Sequence, residues 1–237
     1  QTRTRSITGI ALTRIGVVGT DSRVGKTVVA SAIIAAIREA GARVAPMKPV
    51  GRRGSGDIEQ MRAASGIAYP DRLIQPVVFG DVATPLVNAR RAHAPIDVEA
   101  LDRAFAELCA TSDAIVAEEL GGLLAPITES ESFATLFQRW GLDIVIVSPN
   151  SIGSVNQVLL NLRAAQQYGL RVRAVVLTTL SRARGGTAER TNQALLKELL
   201  LTIPVVSFPY VDSPGDPRQL MALAHELSAS PTIARPA

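Results

Sequence analysis

The residues with the clearest chemical potential lie in a glycine-rich stretch that a helical pattern follows directly. Residues 19–27 are Gly-Thr-Asp-Ser-Arg-Val-Gly-Lys-Thr, and an apolar run of strand type precedes them. A glycine loop between a strand and a helix turns consecutive backbone N–H groups toward an anion at the positive end of the helix. The stretch therefore predicts a P-loop, in which Lys26 binds the β- and γ-phosphates of a nucleotide and Thr27 binds Mg²⁺. The loop residues around them are Arg23, Val24 and Gly25, and the alternative is a chance glycine-rich turn.

A second lysine follows the next apolar run. The sequence Met47-Lys48-Pro49-Val50 stands where that predicted strand ends. Ligands of open α/β sheets bind at the carboxyl ends of the strands. Pro49 favours an extended conformation at Lys48, which helps to direct its side chain. Lys48 is thus a candidate to hold an anionic intermediate together with the γ-phosphate, and the alternative is a solvated lysine at a strand end.

Two carboxylates are candidates for a metal site. Glu118 ends a predicted strand, and Asp57 stands at the start of a helical pattern. Mg²⁺ takes one or two carboxylates together with phosphate oxygens and water. Either acid alone is better explained by a helix N-cap or a surface charge. Their joint position near one P-loop favours a Mg²⁺ site made of Thr27, Asp57 and Glu118.

The elements that must position these residues alternate along the chain. Short runs rich in Val and Ile predict strands at 10–19, 42–50, 113–117, 142–148, 172–180 and 203–209. Helical patterns predict helices at 26–41, from Asp57 onward, and at 97–111, 133–140, 154–168, 187–200 and 217–227. Nearly continuous apolar strands separated by helices are typical of a parallel sheet buried on both faces. We therefore expect a doubly wound, mostly parallel α/β domain over residues 10–237 after a flexible arm at 1–9, with 67–95 left unassigned.

Composition excludes several classes of protein. The chain has 237 residues, of which 47% are hydrophobic and only 19% charged, so an intrinsically disordered protein is excluded. The net charge of +4 and 4% aromatic residues favour a solvated, mildly basic surface over a nucleic-acid partner. The single cysteine, Cys109, is expected to be buried and inert. The sequence lacks both an apolar run of about 20 residues and a signal-peptide pattern, which predicts a cytoplasmic protein with no membrane partner.

The motifs taken together resemble those of a known family. Gly-Thr-Asp-Ser-Arg-Val-Gly-Lys-Thr, Met-Lys-Pro-Val, the acidic strand end with Gly121 and Gly122, and the helix start at 152–156 occur in the same order in the dethiobiotin synthetases. The similarity extends over about residues 10–209. It is most specific in the P-loop and in the Lys-Pro-Val segment.

This resemblance implies an activity. Dethiobiotin synthetases have a P-loop fold, act as homodimers with the active site at the interface, and form the ureido ring of dethiobiotin from 7,8-diaminononanoate, CO₂ and ATP with Mg²⁺. The N7 carbamate of the diamine attacks the γ-phosphate to give a carbamic-phosphoric anhydride. The neighbouring amine then closes the ring and expels phosphate.

The resemblance also assigns roles to residues. Lys26 and Lys48 would neutralise phosphate and carbamate, and Ser22 would lie beside the phosphates. Thr178 and Pro209 would border the nucleotide base. The residues at the substrate positions would be Arg52, Gly121, Gly153, Ser154 and Asn156, of which those at the helix start would receive the distant carboxylate of the diamine.

The sequence departs from the family at several of these positions. Glu119 and Leu120 replace a Gly-Ala pair beside the diamine site, Arg52 replaces a small hydroxyl residue, and Thr178 replaces an asparagine that reads the base. Arg23 and Gln157 replace a frequent acid and a frequent histidine. Two alternatives therefore stay open.

The first alternative is a diverged amide-forming ligase with another acceptor, which the charges of Arg52 and Glu119 favour. The second is an ATP-driven switch of the chromosome-partitioning type. Those switches usually carry a further lysine early in the P-loop, where this chain has Asp21.

Overall fold

The computed structural model describes residues 13–182 and 185–212. In this part of the chain the strands are β1 (Thr13–Gly19), β2 (Val44–Met47), β3 (Val50–Arg52), β4 (Val77–Phe79), β5 (Ala114–Glu118), β6 (Asp143–Pro149), β7 (Val172–Thr178) and β8 (Val205–Phe208). The helices are α1 (Lys26–Glu39), α2 (Asp57–Ser65), α3 (Asp71–Ile74), α4 (Pro85–Arg91), α5 (Val98–Thr111), α6 (Phe133–Arg139), α7 (Ser154–Gln167) and α8 (Thr187–Leu200).

Six of the strands form one parallel sheet in the order β2-β5-β1-β6-β7-β8. The strand that precedes the glycine-rich loop, β1, lies between β5 and β6 near the middle of this sheet. The strands β3 and β4 form a separate parallel pair. The prediction of a doubly wound, mostly parallel α/β fold is confirmed.

The apolar runs form strands because the sheet is covered on both faces. In β6, Ile144 and Ile146 pack into one apolar layer, whereas Val145 and Val147 pack into the other. All four side chains are fully buried. Since successive residues of a strand point to opposite faces, both sets must be apolar when neither face meets water.

The helix starts differ in how their free N–H groups are satisfied. Asp97 caps α5 by accepting a hydrogen bond from the Ala100 N–H (2.9 Å), and Ser132 and Thr135 form a capping box at α6. The helix α1 begins after Gly25, which adopts a left-handed conformation (φ 91°), and it has no side-chain cap. Its first N–H groups, which no side chain caps, are thus available to an anion at this end of the helix.

One predicted strand was wrong in its bounds, and one stretch without a prediction contains short elements. The predicted strand 42–50 is two strands, because β2 ends at Met47 and the Lys48 N–H donates to the Ile74 carbonyl (2.7 Å). The chain then enters β3, in the second sheet. The unassigned stretch 67–95 contains α3, β4 and α4, which are too short to show a periodic pattern.

Some predictions lie outside the described residues. These are the arm at 1–9, the start of the first predicted strand at 10–12 and the helix at 217–227. A single domain over 10–237 stays a prediction. None of the described helices combines the length and the apolar character that a membrane crossing requires.

A substitution in β1 tests how tightly the sheet is packed. A Cβ atom at Gly16 would lie 2.8 Å from Phe137 Cδ2 and 3.3 Å from Ile144 Cγ2. We expect Gly16→Ala to lower the free energy of unfolding by about 1–3 kcal/mol, because the buried ring cannot move aside without strain. Chemical denaturation measures this change.

Gly80→Ala is the matched control. A Cβ atom there would meet nothing within 4 Å, and we expect a change below about 0.5 kcal/mol. Equal stability of Gly16→Ala and the wild type would contradict this account of the packing.

Candidate active site

The candidate site lies where three neighbouring strands end. In the sheet, β5 lies between β2 and β1, so the carboxyl ends of these three strands meet at one edge. The P-loop follows β1, Lys48 follows β2, and Glu118 is the last residue of β5. The sheet order thus brings together the residues that the sequence predicted for phosphate and metal binding.

The side chain of Lys26 folds back over the start of the P-loop. Its Nζ donates to the Asp21 carbonyl (2.9 Å) and lies 3.3 Å from Glu119 Oε1. A Cβ atom at Gly19 would lie 2.8 Å from both Cδ and Nζ of Lys26. Only glycine leaves room at position 19 for this path of the lysine side chain.

A buried ion cluster lies beside the P-loop. The Lys48 ammonium, which is 1% exposed, donates to Glu118 Oε1 at 2.6 Å and lies 2.8 Å from Asp57 Oδ2. The Thr27 hydroxyl donates to the same Glu118 Oε1 at 3.0 Å. The three residues predicted for a metal site and Lys48, predicted to bind an anion, therefore form one network.

The charges in this cluster shift one another's titration. Burial raises the pKa of Glu118 and outweighs the opposing effect of Lys48. Burial also acts against ionisation of Asp57, but Lys48 prevails and the pKa of Asp57 is lowered. The pKa of Lys48 is raised, since the two carboxylates overcome the effect of its burial. One ammonium faces two carboxylates, which favours the binding of a further cation.

The donor atoms fit a magnesium ion. Glu118 Oε2 is buried and has no hydrogen-bond partner, although the other oxygen of the same carboxylate has two. An unpaired buried carboxylate oxygen is costly unless a ligand meets it. Two carboxylates and a hydroxyl match the preference of Mg²⁺. No cluster of three or more His, Cys, Asp or Glu side chains that could hold a metal occurs among the described residues.

A cleft of about 590 Å³ opens over the cluster. Its lining includes Ser22, Arg23, Gly25, Lys26, Thr27, Lys48, Arg52, Asp57, Glu118, Leu120 and Gly121, which the sequence analysis named. Val28, Ser55, Gln60 and the segment 81–84 complete it. The segment 81–84 was not predicted, because it lies in the unassigned stretch. A second cavity of about 320 Å³, beside α4, has neither the P-loop nor Lys48 in its lining.

Glu119 does not lie beside the acceptor site, and this expectation was wrong. Its side chain is fully buried and accepts hydrogen bonds from the N–H groups of Gly19 (2.8 Å) and Gly122 (2.5 Å). Alternation along the strand explains the position, since Glu118 and Glu119 point to opposite sides. Leu120 does line the cleft.

Thr178 contacts the P-loop at Val24 and Gly25. Its hydroxyl lies 2.7 Å from the Val24 carbonyl and 3.2 Å from the Ser148 carbonyl, and its methyl group would lie 3.2 Å from a Cβ atom at Gly25. Pro209 is exposed just after β8. A role of Thr178 or Pro209 at the nucleotide base stays a prediction.

The predicted carboxylate site lies apart from the cleft of the same chain. Gly153 adopts a left-handed conformation (φ 87°) at the start of α7, and Asn156 is exposed. The Ser154 hydroxyl donates to the Pro149 carbonyl and accepts from the Ser151 N–H (3.0 Å), so it is engaged within the turn. None of the three residues lines the 590 Å³ cleft. Their contribution across a dimer interface stays a prediction.

Solved structures with a similar fold include a ParA family ATPase and a cell division protein complex. A ParA family ATPase from Chlorobium tepidum TLS gives a TM-score of 0.52 at 13% identity, with 94% of this chain and 98% of that one covered. The MinC:MinD cell division protein complex of Aquifex aeolicus gives 0.53 at 14% identity, with 94% and 93% covered. At these identities the likeness concerns the fold alone.

Sequence comparison is more specific. A family described as an AAA domain matches residues 13–213. The ATP-dependent dethiobiotin synthetase BioD of Anaeromyxobacter dehalogenans strain 2CP-C is 32% identical over 218 residues, which cover 90% of this chain and 96% of the relative. The BioD protein of Thermodesulfovibrio yellowstonii is 28% identical over 82% of this chain and 88% of its own. With 32% identity over 90% of its length, and with P-loop residues and Lys48 lining one cleft, the chain belongs to the dethiobiotin synthetase family.

Proposed function

We propose that this protein is an ATP-dependent dethiobiotin synthetase that forms the ureido ring from 7,8-diaminononanoate, CO₂ and ATP. The observation that carries the proposal is the buried Lys48, which lines the same cleft as the P-loop lysine Lys26. A site that joins two anions needs a positive charge for each of them. The P-loop provides one for the phosphates, and Lys48 provides the other for a carbamate.

The reaction that the family resemblance implies fits this arrangement. A carbamate oxygen of the diamine attacks the γ-phosphorus, and the bond to the β-phosphate oxygen breaks to release ADP. The second amine then attacks the carbamoyl carbon, which closes the ring and expels phosphate. Phosphoryl transfer depends mainly on positioning and on neutralising charge. Lys26 and Lys48 supply that charge, while the N–H groups at the start of α1 orient the phosphates.

Thr27, Asp57 and Glu118 would hold Mg²⁺. The bound ion would neutralise charge on the phosphate oxygens. The unpaired Glu118 Oε2 supports this assignment.

Further parts of the proposal concern the substrate and the assembly. The start of α7, with Gly153, Ser154 and Asn156, would receive the distant carboxylate of the diamine from the partner of a homodimer. Arg52 and Gly121 would border the diamine in the cleft, whose lining includes both. A cytoplasmic location stays a prediction.

The relatives do not favour either alternative function. The diverged ligase drew support from two charges, and Glu119 no longer provides one of them, because its carboxylate is buried behind the P-loop. Arg52 remains in the cleft. The partitioning-type switch shares only the fold.

The direct test is a reaction with purified components. We expect the protein with diaminononanoate, bicarbonate and Mg-ATP to release phosphate and form dethiobiotin in equal amounts, because ring closure expels the transferred phosphate. Mass spectrometry and a phosphate assay measure the two products. Phosphate release that does not depend on the diamine would contradict the proposal and revive the switch.

A substitution tests the metal site. We expect Glu118→Gln to raise the Mg²⁺ concentration at which ADP binding is half-maximal by about 10–100-fold, since the metal loses a charged ligand. Calorimetric titration of ADP at several Mg²⁺ concentrations measures this effect.

Glu129→Gln is the control, because that carboxylate is exposed and pairs only with Arg90 in the structure described. Unchanged Mg²⁺ dependence in Glu118→Gln would exclude Glu118 as a ligand.

Another substitution separates two roles of Thr178. If the hydroxyl supports the P-loop, Thr178→Val leaves the Val24 carbonyl without this partner, at a cost of about 1–3 kcal/mol. We then expect ATP, GTP and CTP to lose affinity by the same factor. Thr179→Val, at the exposed neighbouring position, is the control. A change in the ratio of the three affinities would show instead that Thr178 reads the base.

A further inference from the structure

Glu119 is a buried carboxylate that the proposed reaction does not use. Its side chain is fully buried, and it lies outside the lining of the cleft. It stands where dethiobiotin synthetases typically carry a glycine. A buried carboxylate persists only where charged and hydrogen-bonding partners meet it.

The side chain of Glu119 connects the P-loop to the glycine pair after β5. Glu119 Oε1 accepts from the Gly19 N–H (2.8 Å) and lies 3.3 Å from Lys26 Nζ, while Oε2 accepts from the Gly122 N–H (2.5 Å). One side chain therefore joins the first residue of the P-loop, the lysine of the P-loop and the glycine pair after β5. The Glu119 N–H also donates to the Val17 carbonyl (3.2 Å), which fixes its backbone to β1.

This carboxylate lies beside the Lys26 ammonium. The Lys26 side chain is only 9% exposed, and its Nζ has two oxygen neighbours, the Asp21 carbonyl and Glu119 Oε1. Of these two, only Glu119 carries a charge. Without Glu119, the ammonium would be largely buried with no counter-ion at this distance until a phosphate arrives.

We propose that Glu119 is a positioning residue for Lys26. It holds the ammonium in place before nucleotide binds and reduces the net positive charge that the phosphates meet. The inference depends on the proposed binding of ATP phosphates by Lys26. Two opposite effects follow from the loss of the carboxylate. Nucleotide binds more tightly, because phosphate then provides the missing counter-charge, whereas phosphoryl transfer slows, because the ammonium is no longer fixed.

The first test compares the effect of Glu119→Gln on nucleotide affinity with its effect on turnover. We expect Glu119→Gln to lower the Kd of Mg-ADP by about tenfold, as removal of a nearby negative charge strengthens the attraction to phosphate. We expect kcat for dethiobiotin formation to fall by about 100-fold, as for a misplaced catalytic group. A residue with a purely structural role would weaken binding and turnover together. Equal or weaker binding of Mg-ADP by Glu119→Gln would overturn the proposal.

The control is an exposed carboxylate at the opposite end of β5. Asp113, just before β5, accepts from the Arg43 N–H (2.8 Å) and pairs with the Arg43 guanidinium (2.9 Å), far along the strand from the P-loop. We expect Asp113→Asn to leave both Kd and kcat within about twofold of the wild type, because that pair is exposed.

A double-mutant cycle shows whether Glu119 acts through Lys26. In a Lys26→Ala background, we expect Glu119→Gln to change the Kd of Mg-ADP by less than about twofold, since the charge it compensates is gone. An undiminished effect in that background would refute action through Lys26. If wild-type protein binds no Mg-ADP, the proposed function fails; if it binds and reacts while the cycle shows no coupling, only this inference fails.

The double variant also tests the proposal if Glu119→Gln alone does not fold. Should Glu119→Gln not fold, recovery of a folded protein in Lys26→Ala/Glu119→Gln would support the proposal, because the uncompensated ammonium is then the cause. A double variant that also fails to fold would refute it, since the defect would not come from Lys26. Thermal unfolding followed by circular dichroism distinguishes the two results.

Discussion

The Lys48 ammonium is the buried charge on which the arrangement of the site depends. An ammonium that is almost fully buried stays charged only if carboxylates surround it, and here Glu118 and Asp57 do so at 2.6 and 2.8 Å. Each of these partners comes from a different element. The sheet places Glu118 at the end of β5, beside β2, and α2 begins at Asp57. Strand order, the break after Met47 and the start of α2 are all required for one ion cluster.

A second buried pair repeats this principle on the other side of β5. Lys26 meets Glu119 as Lys48 meets Glu118, and the two acids are consecutive residues. Because their side chains point to opposite sides, a single strand end supplies a counter-charge to each lysine. The Lys48 ammonium and the Glu119 carboxylate therefore lie on opposite sides of this strand end.

Much of the fold could be predicted from the sequence because the Val and Ile runs are unambiguous, as in residues 142–148. The P-loop was predicted because a glycine loop with Gly-Lys-Thr stands between a strand and a helix. Lys48 was predicted because it follows a strand at the sheet edge where ligands bind. The break at Lys48 could not be predicted, since it depends on the Ile74 carbonyl, which belongs to a stretch without a periodic pattern. The position of Glu119 could have been found, because alternation along a strand places neighbours of Glu118 on the opposite side.

The uncapped start of α1 links ligand concentration to the stability of the whole chain. The helices α5 and α6 satisfy their first N–H groups with their own side chains, whereas α1 does not. A phosphate that completes these hydrogen bonds binds the folded chain and not the unfolded one, so it shifts the folding equilibrium by mass action. In a cell with a high concentration of nucleotide, the protein would then owe part of its resistance to unfolding and proteolysis to its own substrate.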